Sequence, residues 1–227
     1  MATEHAGLTQ TLPEKIAAAL AERVTLGRYQ PGERLIESEL VKSFNVSHGP
    51  VRDALRILQN SGLVTIHSYR GAQVTELSVR EVKEIYQVRA ALVGLRARWL
   101  AEDPDREELI SAVEMPVLRL TELAKSGKQE EYIQAALAVN RALTENLSNR
   151  WLRSMLQALT LQTSRYTRLA LASAERRKES ARLWRTLLDA IRSGDADRAE
   201  SVASRISLAT RDAAIRHLQE AERTEAG

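Results

Sequence analysis

The sequence predicts a mostly α-helical protein: an N-terminal winged helix-turn-helix with a small β-hairpin wing, then an antiparallel six-helix bundle. Three observations lead there. Residues 34–75 read as helix, turn, helix and hairpin, in that order. No strand pattern follows Thr75, whereas apolar stripes at helical spacing recur to about Glu220. Helix boundaries carry their own punctuation, in Ser78-x-x-Glu81, Ser126-Gly127 and Gly194-Asp195.

Taken in order, residues 1–7 read as a loose tail, and Leu12, Ile16, Ala19, Leu20 and Val24 mark a first helix ending near Gly27. Tyr29-Gln30-Pro31-Gly32 is a turn. Residues 35–41 form a short helix closed by Phe44-Asn45-Val46, where Asn45 suits a left-handed turn. The next helix opens at Ser47, whose hydroxyl is placed to cap a first-turn N–H. It tolerates Pro50, because first-turn N–H groups have no intrahelical partner. Val51, Ala54, Leu55 and Leu58 bury one stripe, while Arg52, Arg56 and Gln59 point away from it. The result is a helix with a packed back, a polar front and an N-terminus suited to a phosphate. Asn60-Ser61-Gly62 ends it, and residues 63–67 and 72–75 are strands around Ser68-Tyr69-Arg70-Gly71.

Glu76-Leu77 is a short linker, so the expected domains are 1–77 and 78–227. Ser78 and Glu81 form a capping box opening a helix to about Ala101, with a stripe of Ile85, Val88, Leu92, Leu95 and Trp99 and with Arg89 at its edge. Asp103-Pro104 starts the next helix, with proline at its first position, and Gly127 stops it. Further helices span about 129–147, 150–171 and 174–193, and the last begins after Gly194-Asp195.

Composition excludes several classes. Charged residues at 28% and apolar ones at 44% describe a globular chain with a core of Leu, Ala, Val and Ile, since aromatics are only 4%. The net charge of +3 barely favours nucleic acid, and residues 1–77 carry eight basic and eight acidic side chains, so any basic footprint must be local. Without cysteine there is neither a disulfide nor a thiolate zinc site. No leader pattern opens the chain and no long apolar run occurs, so a soluble, cytoplasmic protein is expected.

Pro31-Gly32-Glu33-Arg34-Leu35, Glu39-Leu40, Val46-Ser47-His48-Gly49-Pro50-Val51-Arg52-Asp53-Ala54-Leu55, Leu58 and Gly62-Leu63-Val64 resemble the GntR superfamily of bacterial transcription regulators. With Ile85-Tyr86-x-Val88-Arg89-x-x-Leu92, Leu188-Asp189-Ala190-Ile191 and Gly194-Asp195-Ala196, the whole chain resembles the FadR branch in its shorter, six-helix form. That resemblance implies a homodimer formed through the bundle, binding palindromic operator DNA. It also implies a bundle pocket whose effector controls the spacing of the DNA-binding domains. Arg52 then reads a base or grips phosphate, Ser47, His48, Gly49 and Pro50 lie at the helix mouth, and Ser38 is a phosphate contact. His48 departs from the family's usual arginine. Tyr69, Arg70 and Gly71 form the wing tip, at the minor groove.

Many such bundles hold a divalent metal through one Asp or Asn and three His. The matching positions here are Asn140, Thr144, Trp184 and Ile206, without a single imidazole, so neither a metal nor another cofactor is expected. Asn140 lies on the apolar stripe of Tyr132, Ala136, Leu143 and Leu147, where a polar group must be satisfied or serve a ligand. The resemblance places Arg89 in the same cavity, binding a carboxylate, with Gln162 and Tyr166 on a neighbouring face. Trp184 and Ile206 make the cavity smaller and more apolar. The expected function is a repressor modulated by a small, anionic metabolite. The alternatives are a DNA-binding protein with no effector, or a helical enzyme fused to a winged domain. The bundle lacks a Ser/His/Asp set, metal ligands and a phosphate loop, which argues against the enzyme.

Overall fold

The computed structural model describes residues 10–67 and 71–225. The chain divides into two compact units, Met1–Glu76 and Leu77–Gly227. In the first, α1 (Leu12–Thr25) opens with a capping box between Thr11 and Glu14 and packs against α3 (His48–Asn60). Its buried face is Ile16, Ala17, Leu20, Ala21 and Val24, while Leu12 is exposed. Between α2 (Glu37–Phe44) and α3, Asn45 adopts φ 52°, ψ 51°, the left-handed conformation its short amide side chain tolerates. Arg23 of α1 reaches over α2: its Nη1 donates to Ser43 Oγ at 3.0 Å and its guanidinium stacks on Phe44.

The wing pairs β2 (Val64–His67) with β3 (Gly71–Val74) in antiparallel register, Val64 opposite Val74 and His67 opposite Gly71. A third strand, β1 (Arg34–Leu35), adds to the other edge of β3, giving the order β1-β3-β2. Leu35 was expected in a helix. It is drawn instead into a ladder that satisfies its backbone against Ala72, and α2 starts two residues later. Tyr69 and Arg70 lie outside the described residues.

The second unit contains the six helices α4 (Val79–Glu102), α5 (Arg106–Ser126), α6 (Gln129–Glu145), α7 (Arg150–Ala170), α8 (Ala174–Arg192) and α9 (Ala196–Glu225). The capping box of α4 forms as expected. So does the α8–α9 junction, where Gly194 has φ 70° and Asp195 Oδ1 accepts from the Arg198 amide. Pro104 falls outside α5, because Asp103 folds the chain into a turn by accepting from the Asp105 and Arg106 amides. Contact between α4 and α9 is close: a Cβ on Gly94 would fall 2.5 Å from Ser204 Oγ, whose hydroxyl donates to the Ala90 carbonyl. Among the described residues no helix is long and apolar enough to cross a membrane.

One expectation about α4 is reversed. Its buried stripe is Val82, Tyr86, Arg89, Ala90, Val93, Ala97 and Leu100. Of the stripe Ile85, Val88, Leu92, Leu95 and Trp99, Val88 (54%) and Trp99 (36%) are exposed, while Ile85, Leu92 and Leu95 are half-buried at the edge of the core. Both faces are apolar, so periodicity alone does not decide between them, and packing against α9 does.

Candidate DNA-reading helix and bundle pocket

Ser47 has the extended backbone of an N-cap (φ −78°, ψ 171°), but its side chain makes no capping bond. The hydroxyl expected to cap the helix is therefore left at the surface beside the first-turn amides, where a phosphate would find both. Ser38, Ser47, His48, Gly49 and Arg52 are all exposed, and Pro50 is half-buried. Nothing lies within 4 Å of a Cβ built on Gly49, so its backbone is open to close approach. Behind this front, Val51, Ala54, Leu55 and Leu58 are buried as the stripe requires.

Arg52 is not free to wander. Its Nε donates to both oxygens of Glu37, at 2.9 and 3.0 Å, and the same carboxylate meets His48 Nδ1 at 2.5 Å. The Arg52 guanidinium, opposed by partial burial and aided by His48, holds the Glu37 carboxyl below its usual value. Because only Nε is engaged, the two terminal nitrogens of Arg52 make no hydrogen bond among the described residues. An arginine clasped at Nε presents a planar pair of donors in one direction, the geometry a guanine edge demands. Glu37, which sequence reasoning passed over, orients both exposed side chains.

In the second unit a cavity of about 40 Å³ lies among α4, α6, α8, α9 and the end of α7. Arg89, Asn140, Trp184 and Ile206 line it as expected, and Thr144 lies just behind. Gln162 and Tyr166 are not among its lining residues. The face of α7 is turned by one position, so that Thr167 lines the cavity while Tyr166 packs beside Val82 and Tyr86 and accepts from the Leu77 amide.

The residue missed here is Arg96, only 2% exposed. Its Nη1 donates to the Asn140 carbonyl at 3.1 Å, to Asn140 Oδ1 at 3.0 Å and to Thr144 Oγ1 at 2.7 Å. Burial, and then the nearby charge of Arg89, push its guanidinium down to about 9. Arg89 is also buried and also pushed down by burial; its Nη1 donates to Ser207 Oγ at 3.3 Å and its guanidinium lies 5.8 Å over the Tyr86 ring. The donor set does not fit a divalent cation: one amide oxygen and one hydroxyl already face a guanidinium nitrogen, and Trp184 and Ile206 offer no ligand atom. Among the described residues no cluster of three or more His, Cys, Asp or Glu side chains could hold a metal.

Comparison with known proteins agrees with both halves of this geometry. Residues 12–74 match the bacterial regulatory proteins of the gntR family and residues 84–220 match the FCD domain. The chain is 31% identical over 139 residues to the HTH-type transcriptional regulator YdhC of Bacillus subtilis, an alignment spanning 61% of this chain and 62% of that one. It is 24% identical over 217 residues to the galactonate operon transcriptional repressor of Escherichia coli, covering 86% of this chain and 93% of the relative. The solved structure of E. coli McbR/YncC shares the fold with a TM-score of 0.75 at 19% identity, over 88% of this chain and 95% of that one. The chain belongs to the gntR family of bacterial regulatory proteins, as a transcription regulator with a C-terminal FCD domain and not an enzyme.

Proposed function

We propose that the protein is a dimeric, cytoplasmic repressor that reads a two-fold symmetric operator and is modulated by a small anionic metabolite in the bundle cavity. The observation that carries the reading is a buried guanidinium, Arg89, facing a cavity with no acidic side chain in its lining. An uncompensated buried cation is costly to keep and calls for an anion. Support for DNA reading comes from the exposed α3 front, with Ser47, His48, Gly49 and Pro50 at its mouth and Arg52 clasped by Glu37. Ser38 and the wing residues Tyr69, Arg70 and Gly71 are assigned to flanking phosphate and minor-groove contacts. The outer edge of α4, where Val88 and Trp99 are exposed and Leu92 and Leu95 between them are half-buried, supports a dimer as an apolar surface that a second copy could cover. The galactonate repressor among the relatives is named for the operon of a carboxylate sugar acid, which agrees with an anionic ligand.

Selection from a random duplex library with purified protein tests the reading. The expected product is a palindrome bound by a species of about twice 25.3 kDa in sedimentation, released by an organic acid. A monomer on an asymmetric site would overturn the dimer and operator assignments. A screen of organic acids that neither stabilises the protein nor releases DNA would overturn the effector.

A further inference from the structure

Charged groups on α4 fall into two sorts. Arg98 points outward and is surrounded by acids, bonding Glu102, Asp197 and Glu200. Arg89 and Arg96, seven residues apart on the buried face, have none: neither forms an ion pair among the described residues, and the cavity they line contains no aspartate or glutamate. Arg177 shows what a structural buried arginine looks like in this protein, with its Nη1 tied to the carbonyls of Leu171 and Ala172 where α7 ends. Arg89 is tied down less, and Arg96 is held as firmly but beside a cavity. Like Arg177, each has an Nε that is buried and without a partner among the described residues, and each hydrogen-bonds through Nη1 alone. Five N–H donors per guanidinium leave several unused on both.

We infer that the cavity takes a doubly charged anion, gripped jointly by Arg89 and Arg96, with Arg96 as the fixed anchor and Arg89 as the group that closes on the ligand. This rests on the effector reading above and adds to it the ligand's charge and its second anchor. Two cations face one cavity, and each raises the cost of the other. The Coulombic effect of Arg89 on Arg96 runs in that direction. A monoanion would leave one charge uncompensated, whereas a dianion neutralises both. Difference in attachment assigns the roles. Arg96 is held at three oxygens of α6, between 2.7 and 3.1 Å, whereas among the described residues Arg89 has one long hydrogen bond, to Ser207 of α9, and a distant ring contact with Tyr86. The cavity of about 40 Å³ has room for roughly three waters, which suits a compact head. That head is either a phosphoryl group or a short dicarboxylate. Trp184, Leu187 and Ile206 offer an apolar wall to whatever the head carries.

Isothermal titration of the full-length protein at pH 7.5 in chloride-free zwitterionic buffer tests this. The probes are inorganic phosphate, malonate and succinate, with acetate and propionate as monoanions and malonamide as the neutral analogue. At least one dianion is expected to bind once per chain and about tenfold or more tighter than either monoanion, with malonamide silent. Phosphate against malonate tells the phosphoryl head from the dicarboxylate. Arg89→Met and Arg96→Met are each expected to abolish the preference for the dianion, and Arg96→Lys, which keeps the charge, to retain it in part. Thermal melts confirm that the variants are folded. Should acetate or propionate bind as tightly as every dianion, the double charge is wrong and the anionic effector stands. Should no anion bind at millimolar concentration, both fail. Should both methionine variants bind the dianion like the parent, the site lies elsewhere and the inference is overturned.

Discussion

Replacing Arg96 with methionine is expected to stabilise the ligand-free protein, although it removes three hydrogen bonds. Burial, then Arg89, pushes the guanidinium from its usual strongly basic value down to about 9. A drop of that size corresponds to about 5 kcal/mol of penalty on the charged form, taken as an upper bound. The sign follows from linkage. Above about 9 the folded state is expected to release a proton that the unfolded state still binds, so stability should rise with pH there until the unfolded arginine also titrates. Below pH 9 both states are protonated, and at pH 7.5 the penalty is fully in force. Against it stands the orphaning of Asn140 Oδ1, which costs about 1–3 kcal/mol. Thr144 keeps its own bond to the Asn140 carbonyl at 2.9 Å, so its hydroxyl is not stranded. Methionine follows the path of the aliphatic stem with little loss of packing. The net is a gain of at most roughly 2–4 kcal/mol, or about 4–16 °C in the melting temperature of the helical unit. Scanning calorimetry in chloride-free zwitterionic buffer reads it, because a bound anion would mask the penalty. Arg96→Met/Asn140→Leu removes the orphan as well and should melt higher still. If both variants melt below the parent, the guanidinium is a net stabiliser and the argument from an uncompensated charge is refuted.

Three further outcomes are expected. Arg52→Ala should cost about 1–3 kcal/mol per half-site and relax preference at one base pair, as read by anisotropy on matched and mismatched operators; equal binding to both by parent and variant would remove Arg52 from base reading. Glu37→Gln should narrow the gap between specific and non-specific binding, by loosening Arg52 and by removing a negative charge from the phosphate-facing surface. The lowered pKa of Glu37 means that its bond to Arg52 is present at neutral pH and is lost only as pH falls through that lowered value, so Arg52's preference at its base pair should not change between pH 6 and 8. Chelator treatment should leave the melting temperature and operator affinity unchanged, and elemental analysis showing about one bound metal per chain would contradict the donor argument at Asn140 and Thr144.

The N-terminal half was largely legible because its signals are local. Asn45 at a left-handed turn, the apolar back of α3 and the short wing each follow from residues within a few positions of one another. What escaped was tertiary: β1 exists only because β3 offers it an edge, and the clasp of Arg52 by Glu37 joins residues fifteen apart on different helices. In the bundle, caps fixed the helix ends within about two residues, except at Pro104, where Asp103 made a turn first, and at the last helix, expected to end near Glu220, which continues to Glu225. Asn140 was legible as a polar group on an apolar stripe, but not the partner that satisfies it.

That partner was hidden by a rule that usually holds. A helix with charges on it is assigned its charged face as the solvated one. On α4 the residues Val82, Tyr86, Arg89, Val93, Arg96 and Leu100 follow spacings of four, three, four, three and four, an unbroken buried stripe with two arginines in it. The clean apolar stripe, Val88 to Trp99, is the one left at the edge, half-buried at Leu92 and Leu95 and exposed at its ends. Read for spacing before charge, the sequence contains both facts. Folding alone would favour leucine or methionine at 89 and 96, since apolar replacement of buried ions is commonly neutral or stabilising. Two arginines on a core stripe, with acids supplied to Arg98 and withheld from them, are costly unless something else brings the negative charge. Local conflict with the rules of folding is where function is expected to sit, and in this bundle the conflict converges on one cavity.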